Sequence, residues 1–241
     1  KSSNVTLIWI RHTNKVNIGY IPLKAALRAH NSEALIDVPN QRRVTFGTLE
    51  ERVCRLANGL LENLGALKGD RVAVLSKNCI EYMEVFFACA RAGLIIQPLN
   101  WRLGEQELSR IIVDATPTVF ISSEEYSEQA GRLIEGQDVK KLLVYGENGA
   151  SSYEQLLQSS STSAPPVSTD VGDDDPVMIL YTGGTTGKSK GALHSHKSVY
   201  MGMLNQTVAE RVLPTDVYML TGQMFHIPIV LAINYMAHGC P

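Results

Sequence analysis

Val177-Met178-Ile179-Leu180-Tyr181-Thr182-Gly183-Gly184-Thr185-Thr186-Gly187-Lys188-Ser189-Lys190-Gly191-Ala192-Leu193-His194-Ser195-His196 is the stretch around which this chain of 241 residues is organised. Its opening run, Val177 to Leu180, is short and apolar and reads as a buried strand. From Thr182 to Gly187 no side chain is bulky, and Lys188 and Lys190 follow. Glycine lets backbone N–H groups turn inward and approach a ligand closely. Threonine hydroxyls add donors and lysine adds full charge. A concave row of such donors suits a polyphosphate. A single Gly-Gly would mark an ordinary turn, but hydroxyls, glycines and lysines packed this densely point to phosphate.

The P-loop pattern requires Gly, four residues, then Gly-Lys-Ser/Thr. Counted back from Gly187-Lys188-Ser189, the first glycine falls on Thr182, and Gly183 is one residue too close. A P-loop also opens into a helix, whereas Lys190 to Ser195 contains Gly191 and alternates as a second strand. The expected order is therefore strand, loop, strand, with a helix starting near Lys197. A P-loop kinase is disfavoured on both counts.

Tyr181 to Gly191 resembles the phosphate-loop signature of the adenylate-forming enzymes: acyl-CoA synthetases, luciferases and peptide-synthetase adenylation domains. That family usually carries Ser where Gly183 stands and Pro where Ser189 stands, so one hydroxyl and some loop stiffness are missing here. Thr45-Phe46 with the helix after it, Gly69-Asp70-Arg71-Val72-Ala73, and Pro98-Leu99-Asn100-Trp101-Arg102-Leu103 with Glu107-Leu108 also resemble the family. The last segment looks most like its acyl- and aryl-CoA ligase branch. Met224-Phe225-His226 resembles the next motif, an aromatic-His pair beside the acyl pocket, although Ile227-Pro228-Ile229 follows where a glycine is usual.

The resemblance implies ATP-dependent activation of a carboxylic acid, fatty or aryl, to an acyl-adenylate and then to an acyl-CoA, with ATP, Mg²⁺ and coenzyme A. It places Thr182, Gly183, Gly184, Thr185, Thr186, Gly187, Lys188 and Lys190 on the nucleotide. Lys190, Thr186 and His226 take the catalytic roles, and Thr186 also helps to hold Mg²⁺. The match runs over roughly residues 20 to 240, the first part of a family member. The adenine-holding Gly-x-x-Glu region, the ribose-binding aspartate and the C-terminal lysine are not among the 241 residues. The chain stops soon after Gly239 with no element closing there, so a truncated piece, inactive alone, is expected. The alternative is a non-catalytic nucleotide- or partner-binding module that keeps the fold.

Composition agrees with an ordinary globular protein: 44% apolar and 19% charged residues, with a formal net charge of −2. That charge gives no reason to expect nucleic acid or an anionic membrane. No apolar run approaches the ~18 residues of a membrane span. Lys1 to Arg11 has a short apolar core but no small-residue cleavage site, so it does not read as a signal peptide. Cys54, Cys79, Cys89 and Cys240 show no CxxC spacing; Cys54, Cys79 and Cys89 lie in or beside helical apolar patterns and read as buried free thiols, which fits a reducing compartment, the cytoplasm. Oligomeric state is not readable.

Along the chain, Leu23 to Ala29 reads as a helix, and Leu35 to Asp37 with Arg43 to Phe46 as a hairpin around Pro39-Asn40. Thr48 and Glu51 form a capping box for an amphipathic helix ended by Gly65. Strands are expected at Arg71–Leu75, Leu94–Pro98, Thr118–Ser122, Lys141–Tyr145 and Val217–Leu220. Helices are expected at Cys79–Ala92, capped by Asn78, and at Glu105–Asp114, Glu124–Ile134, Ser198–Val212 and Pro228–Ala237. Such alternation argues for an α/β fold with a parallel sheet flanked by helices. Ser159 to Asp175, rich in Ser, Thr, Pro and Asp, reads as an exposed linker between a first α/β subdomain (1–158) and the start of a second (176–241). Asp173-Asp174-Asp175 reads as a solvated turn in preference to a metal site. His194 and His196 share a strand face, but no third ligand can be named for zinc.

Overall fold

The computed structural model describes residues 15–146, 151–165, 170–183 and 189–241. Its centre is a six-stranded sheet in the order β6-β5-β3-β4-β7-β8. The strands are β3 (Arg71–Leu75), β4 (Ile95–Leu99), β5 (Val119–Ser123), β6 (Lys141–Tyr145), β7 (Pro176–Thr182) and β8 (Lys190–Ser195). β3 to β7 run parallel, and β8 turns back antiparallel to β7. A separate antiparallel hairpin, β1 (Glu33–Asp37) and β2 (Arg42–Thr45), lies where Pro39-Asn40 marks it.

The strands alternate between two cores, as a period of two requires. Val72 and Val74 face a large cluster built with α1 (Ile21–Ala29), α2 (Phe46–Asn58), α3 (Ile80–Ala92), α6 (Ser152–Gln158), α7 (His196–Glu210) and α8 (Pro228–Ala237). Ala73 and Leu75 face a smaller one built with α4 (Glu105–Ala115) and α5 (Ser127–Ile134). Connections moving one way across the sheet use the first face, and those moving back use the second, the right-handed rule for parallel crossovers.

Several expectations are corrected. α2 starts at Phe46, because Thr45 is its cap: Thr45 Oγ1 accepts from the Thr48 N–H at 3.2 Å, so the proposed box at Thr48 is already inside the helix. Cys79, not Asn78, is the N-cap of α3, and the Asn78 amide is engaged elsewhere. Helix α6 was not foreseen, yet Ser151 and Glu154 carry the cap spacing, with Ser151 Oγ accepting from the Glu154 N–H. Val217 to Leu220 is not a strand. It joins no ladder, and Tyr218 donates its N–H to the Pro241 carbonyl instead.

Segment 159–175 connects strands of one sheet. Its described residues are mostly exposed but pinned: the Asn58 amide donates to the carbonyls of Ser161 and Ser163. The acidic turn is structural, with Asp175 paired to Lys68 at 2.8 Å and Asp173 Oδ1 accepting from the Val16 N–H.

All thirteen residues of α3 are buried, including Glu81, Glu84 and Arg91. Arg91 is 1% exposed and forms a two-pronged pair with Glu50 of α2, both contacts at 2.7 Å. It also donates to the Gly19 carbonyl at 2.8 Å. A buried charge stripped of its partner is expensive. Arg91→Met should therefore lower stability by about 3 kcal/mol, read by urea unfolding. Arg132→Met, which breaks an exposed pair with Glu105, should cost less than ~1 kcal/mol. Equal losses would show that burial does not set the energy of these pairs.

Candidate functional site

Parallel α/β sheets bind ligands outside the carboxyl ends of their strands. Here that edge is formed by Leu75, Leu99, Ser123, Tyr145 and Thr182. Of the residues assigned to the nucleotide, Gly184, Thr185, Thr186, Gly187 and Lys188 lie outside the described residues. Thr182, Gly183 and Lys190 are described, and all are exposed. Thr182 and Lys190 stand opposite each other in the β7–β8 ladder. The intervening loop thus leaves and re-enters the fold at one point on the carboxyl edge, and a strand follows it as expected.

The ladder below this mouth is built to hold it. Tyr181 pairs with Gly191, where a Cβ would stand 2.7 Å from the Ile179 side chain and 3.1 Å from the Tyr181 ring. A side chain there would have to displace the Ile179 and Tyr181 side chains that pack over the strand. The Tyr181 hydroxyl donates to Asp114 of α4 at 2.6 Å, and burial together with that carboxylate raises its pKa well above the ordinary phenol value. At Gly183, by contrast, a Cβ would meet none of the described residues within 4 Å. Among the described residues no carboxylate pairs with Lys190, which leaves its charge available at the mouth.

His226 lies in the loop before α8 and is exposed. Its N–H donates to the Gln223 carbonyl at 3.1 Å. The loop reaches the same sheet edge through Trp101, just beyond β4, whose Nε1 donates to Gln223 Oε1 at 3.2 Å. Trp101 is flanked by Arg102 at 4.9 Å and Lys77 at 5.7 Å from its ring centre, and by the Tyr126 ring at 6.4 Å.

The sequence did not reveal a cleft of about 850 Å³ outside β3, β5 and β6, between Ser76–Cys79, Ser123–Glu125 and Arg42. β3 and β5 are neighbours whose following helices cover opposite faces of the sheet, the arrangement that opens a crevice. No spacing in the chain announces it, because its walls come from separate crossovers.

His194 and His196 part company. His194 is half-buried in β8, and burial lowers its pKa. His196 is the first residue of α7, fully buried, with Nδ1 accepting from the Ile18 N–H at 3.2 Å. Among the described residues no cluster of three His, Cys, Asp or Glu is placed to hold a metal ion. His196 is a structural, neutral imidazole.

Three comparisons bear on this arrangement. The family model described as AMP-binding enzyme matches residues 23–240. Feruloyl-CoA synthase of an Amycolatopsis species is 34% identical over 183 residues, covering 76% of this chain and 34% of that protein. The long-chain-fatty-acid–CoA ligase FadD13 of Mycobacterium tuberculosis is 31% identical over 224 residues, covering 92% of this chain and 43% of that protein. The inhibitor-bound N-terminal domain of FACL13 from Mycobacterium tuberculosis superimposes with a TM-score of 0.84 at 28% identity, over 93% of this chain and 56% of that one. The chain thus spans less than half the length of the curated relatives it matches.

Burial holds the His196 pKa down at about 4, against the ordinary ~6.5 of a free imidazole. The unfolded chain therefore binds the extra proton first, and stability present above pH ~6.5 is lost as pH falls toward 4. Between pH 7 and 4.5 the His196→Asn variant should lose about 2 kcal/mol less than the parent. Parallel losses in chemical denaturation would assign the titration to another group.

Proposed function

The chain belongs to the AMP-binding enzyme family, and from that premise we propose that the protein carrying it is an acid–CoA ligase that forms AMP. A carboxylate attacks the α-phosphorus of ATP, pyrophosphate leaves, and the acyl group then passes from the adenylate to the thiol of coenzyme A. The observation that carries this reading is the pairing of Thr182 with Lys190 on the carboxyl edge. It ties both ends of a glycine- and threonine-rich loop to one point and sets a cation at its mouth.

Charge explains why such a loop is wanted. An anion must approach a nucleotide that is itself highly anionic, so the β- and γ-phosphates need fixed donors and positive charge. Thr182, Gly183, Gly184, Thr185, Thr186 and Gly187 wrap the departing pyrophosphate. Lys188 and Lys190 supply charge, Lys190 the more directly. The Thr186 hydroxyl with phosphate oxygens would hold Mg²⁺, which neutralises charge on the leaving group. The loop must open for pyrophosphate to escape. His226 sits beside the acid, and the Ile227 that follows narrows the acyl pocket. Relatives named for feruloyl, long-chain fatty and indoleacetate substrates support a fatty or aryl acid. The four unpaired thiols favour the reducing cytoplasm. Among the described residues no helix is long and apolar enough to cross a membrane.

In the complete protein, acid-dependent exchange of pyrophosphate into ATP should fall about 100-fold in Lys190→Ala and in Thr186→Ala. Unchanged exchange in both would discard the roles given to this loop. ATP binding by calorimetry with no exchange for any fatty or aryl acid would favour the non-catalytic module.

A further inference from the structure

The loop that carries His226 has neither helix nor ladder; beyond turn bonds such as that from the His226 N–H to the Gln223 carbonyl, it is held from outside. Asn78 reaches it with both ends of one amide. Nδ2 donates to the Gly222 carbonyl at 2.7 Å, and Oδ1 accepts from the Met224 N–H at 2.9 Å. These two backbone groups are two residues apart, so a single side chain supplies the pairing that a neighbouring strand would give. The Trp101 indole adds a third bond, to Gln223.

The anchor points are themselves rigid. Met224 is buried in the larger core. Gly222 has no room for a side chain, because a Cβ would stand 2.4 Å from Pro228 Cγ at the start of α8. Asn78 directly precedes Cys79, the cap of the fully buried α3. The clamp therefore transmits the position of the core to a surface loop otherwise ordered only by turn hydrogen bonds.

We propose that Asn78, seconded by Trp101, is a positioning residue that sets His226 at the acid-binding end of the site. The role rests on the ligase reading above. Its chemistry is specific to an amide. Asp offers two acceptors and faces the Gly222 carbonyl with like charge, and Ala offers nothing. Trp101→Phe keeps the ring and loses only the indole donor.

The test uses the complete protein and acid-dependent pyrophosphate exchange with a fatty and an aryl acid. Asn78→Asp and Asn78→Ala should raise KM for the acid about tenfold, the weight of a hydrogen-bonded clamp, while KM for ATP and the thermal midpoint stay put. Trp101→Phe should raise the acid KM less, about threefold. Hydrogen exchange at the Met224 amide should quicken in Asn78→Ala. An unchanged acid KM in Asn78→Asp, or an equal rise in KM for ATP, would overturn the positioning role. A parent protein with no exchange would instead remove the ligase reading and this role with it, while the Met224 amide would still report whether the clamp exists.

Discussion

A helix buried on every side and yet carrying three charges is the constraint from which the rest of the fold follows. α3 lies in the larger core, and Glu81, Glu84 and Arg91 cannot be left there without partners. Each finds one on a neighbouring element: Glu81 meets Arg42 of β2 at 2.6 Å, while Glu84 meets Arg52 at 2.6 Å and Arg91 meets Glu50, both of α2. Arg52 continues to Glu154 of α6, and the Tyr153 hydroxyl donates to Glu84. Such pairs contribute little net stability over apolar packing, but they penalise any arrangement that separates them. They therefore specify how the hairpin, α2 and α6 are seated around α3.

The same helix governs the carboxyl edge. Its cap follows directly from the loop leaving β3, so the exposed Asn78 stands between buried Ser76 and the buried helix. From there Asn78 carries that order to the loop of His226. On the other side, Tyr181 ties the β7–β8 hairpin to α4 through Asp114. The acid end of the proposed site is thus held from α3 through Asn78 and from the other face through Trp101, and the phosphate end is held from α4 through Tyr181.

Much of this was legible beforehand. The strands before and after the glycine-rich loop, the hairpin at Pro39-Asn40 and the alternation of strands with helices all rest on local chemistry, and local chemistry is written in neighbouring residues. The failures have equally local causes. Thr48 and Asn78 look like caps because both residue types suit that position, but Thr45 and Cys79 occupy it. Val217 to Leu220 has strand composition but joins no ladder, and β-propensity yields to context.

From residues alone came the class of fold, the place of the loop in the chain, and the ligand chemistry its hydroxyls, glycines and lysines suit, since periodicity and donor density need only near neighbours. Tertiary structure decided that His196 is a neutral core residue, that Asn78 serves a loop 146 residues away, and that a cleft opens beside β3 and β5. Each of these depends on burial or on partners brought together by crossovers, and burial is a property of the assembled sheet that no short stretch of chain contains.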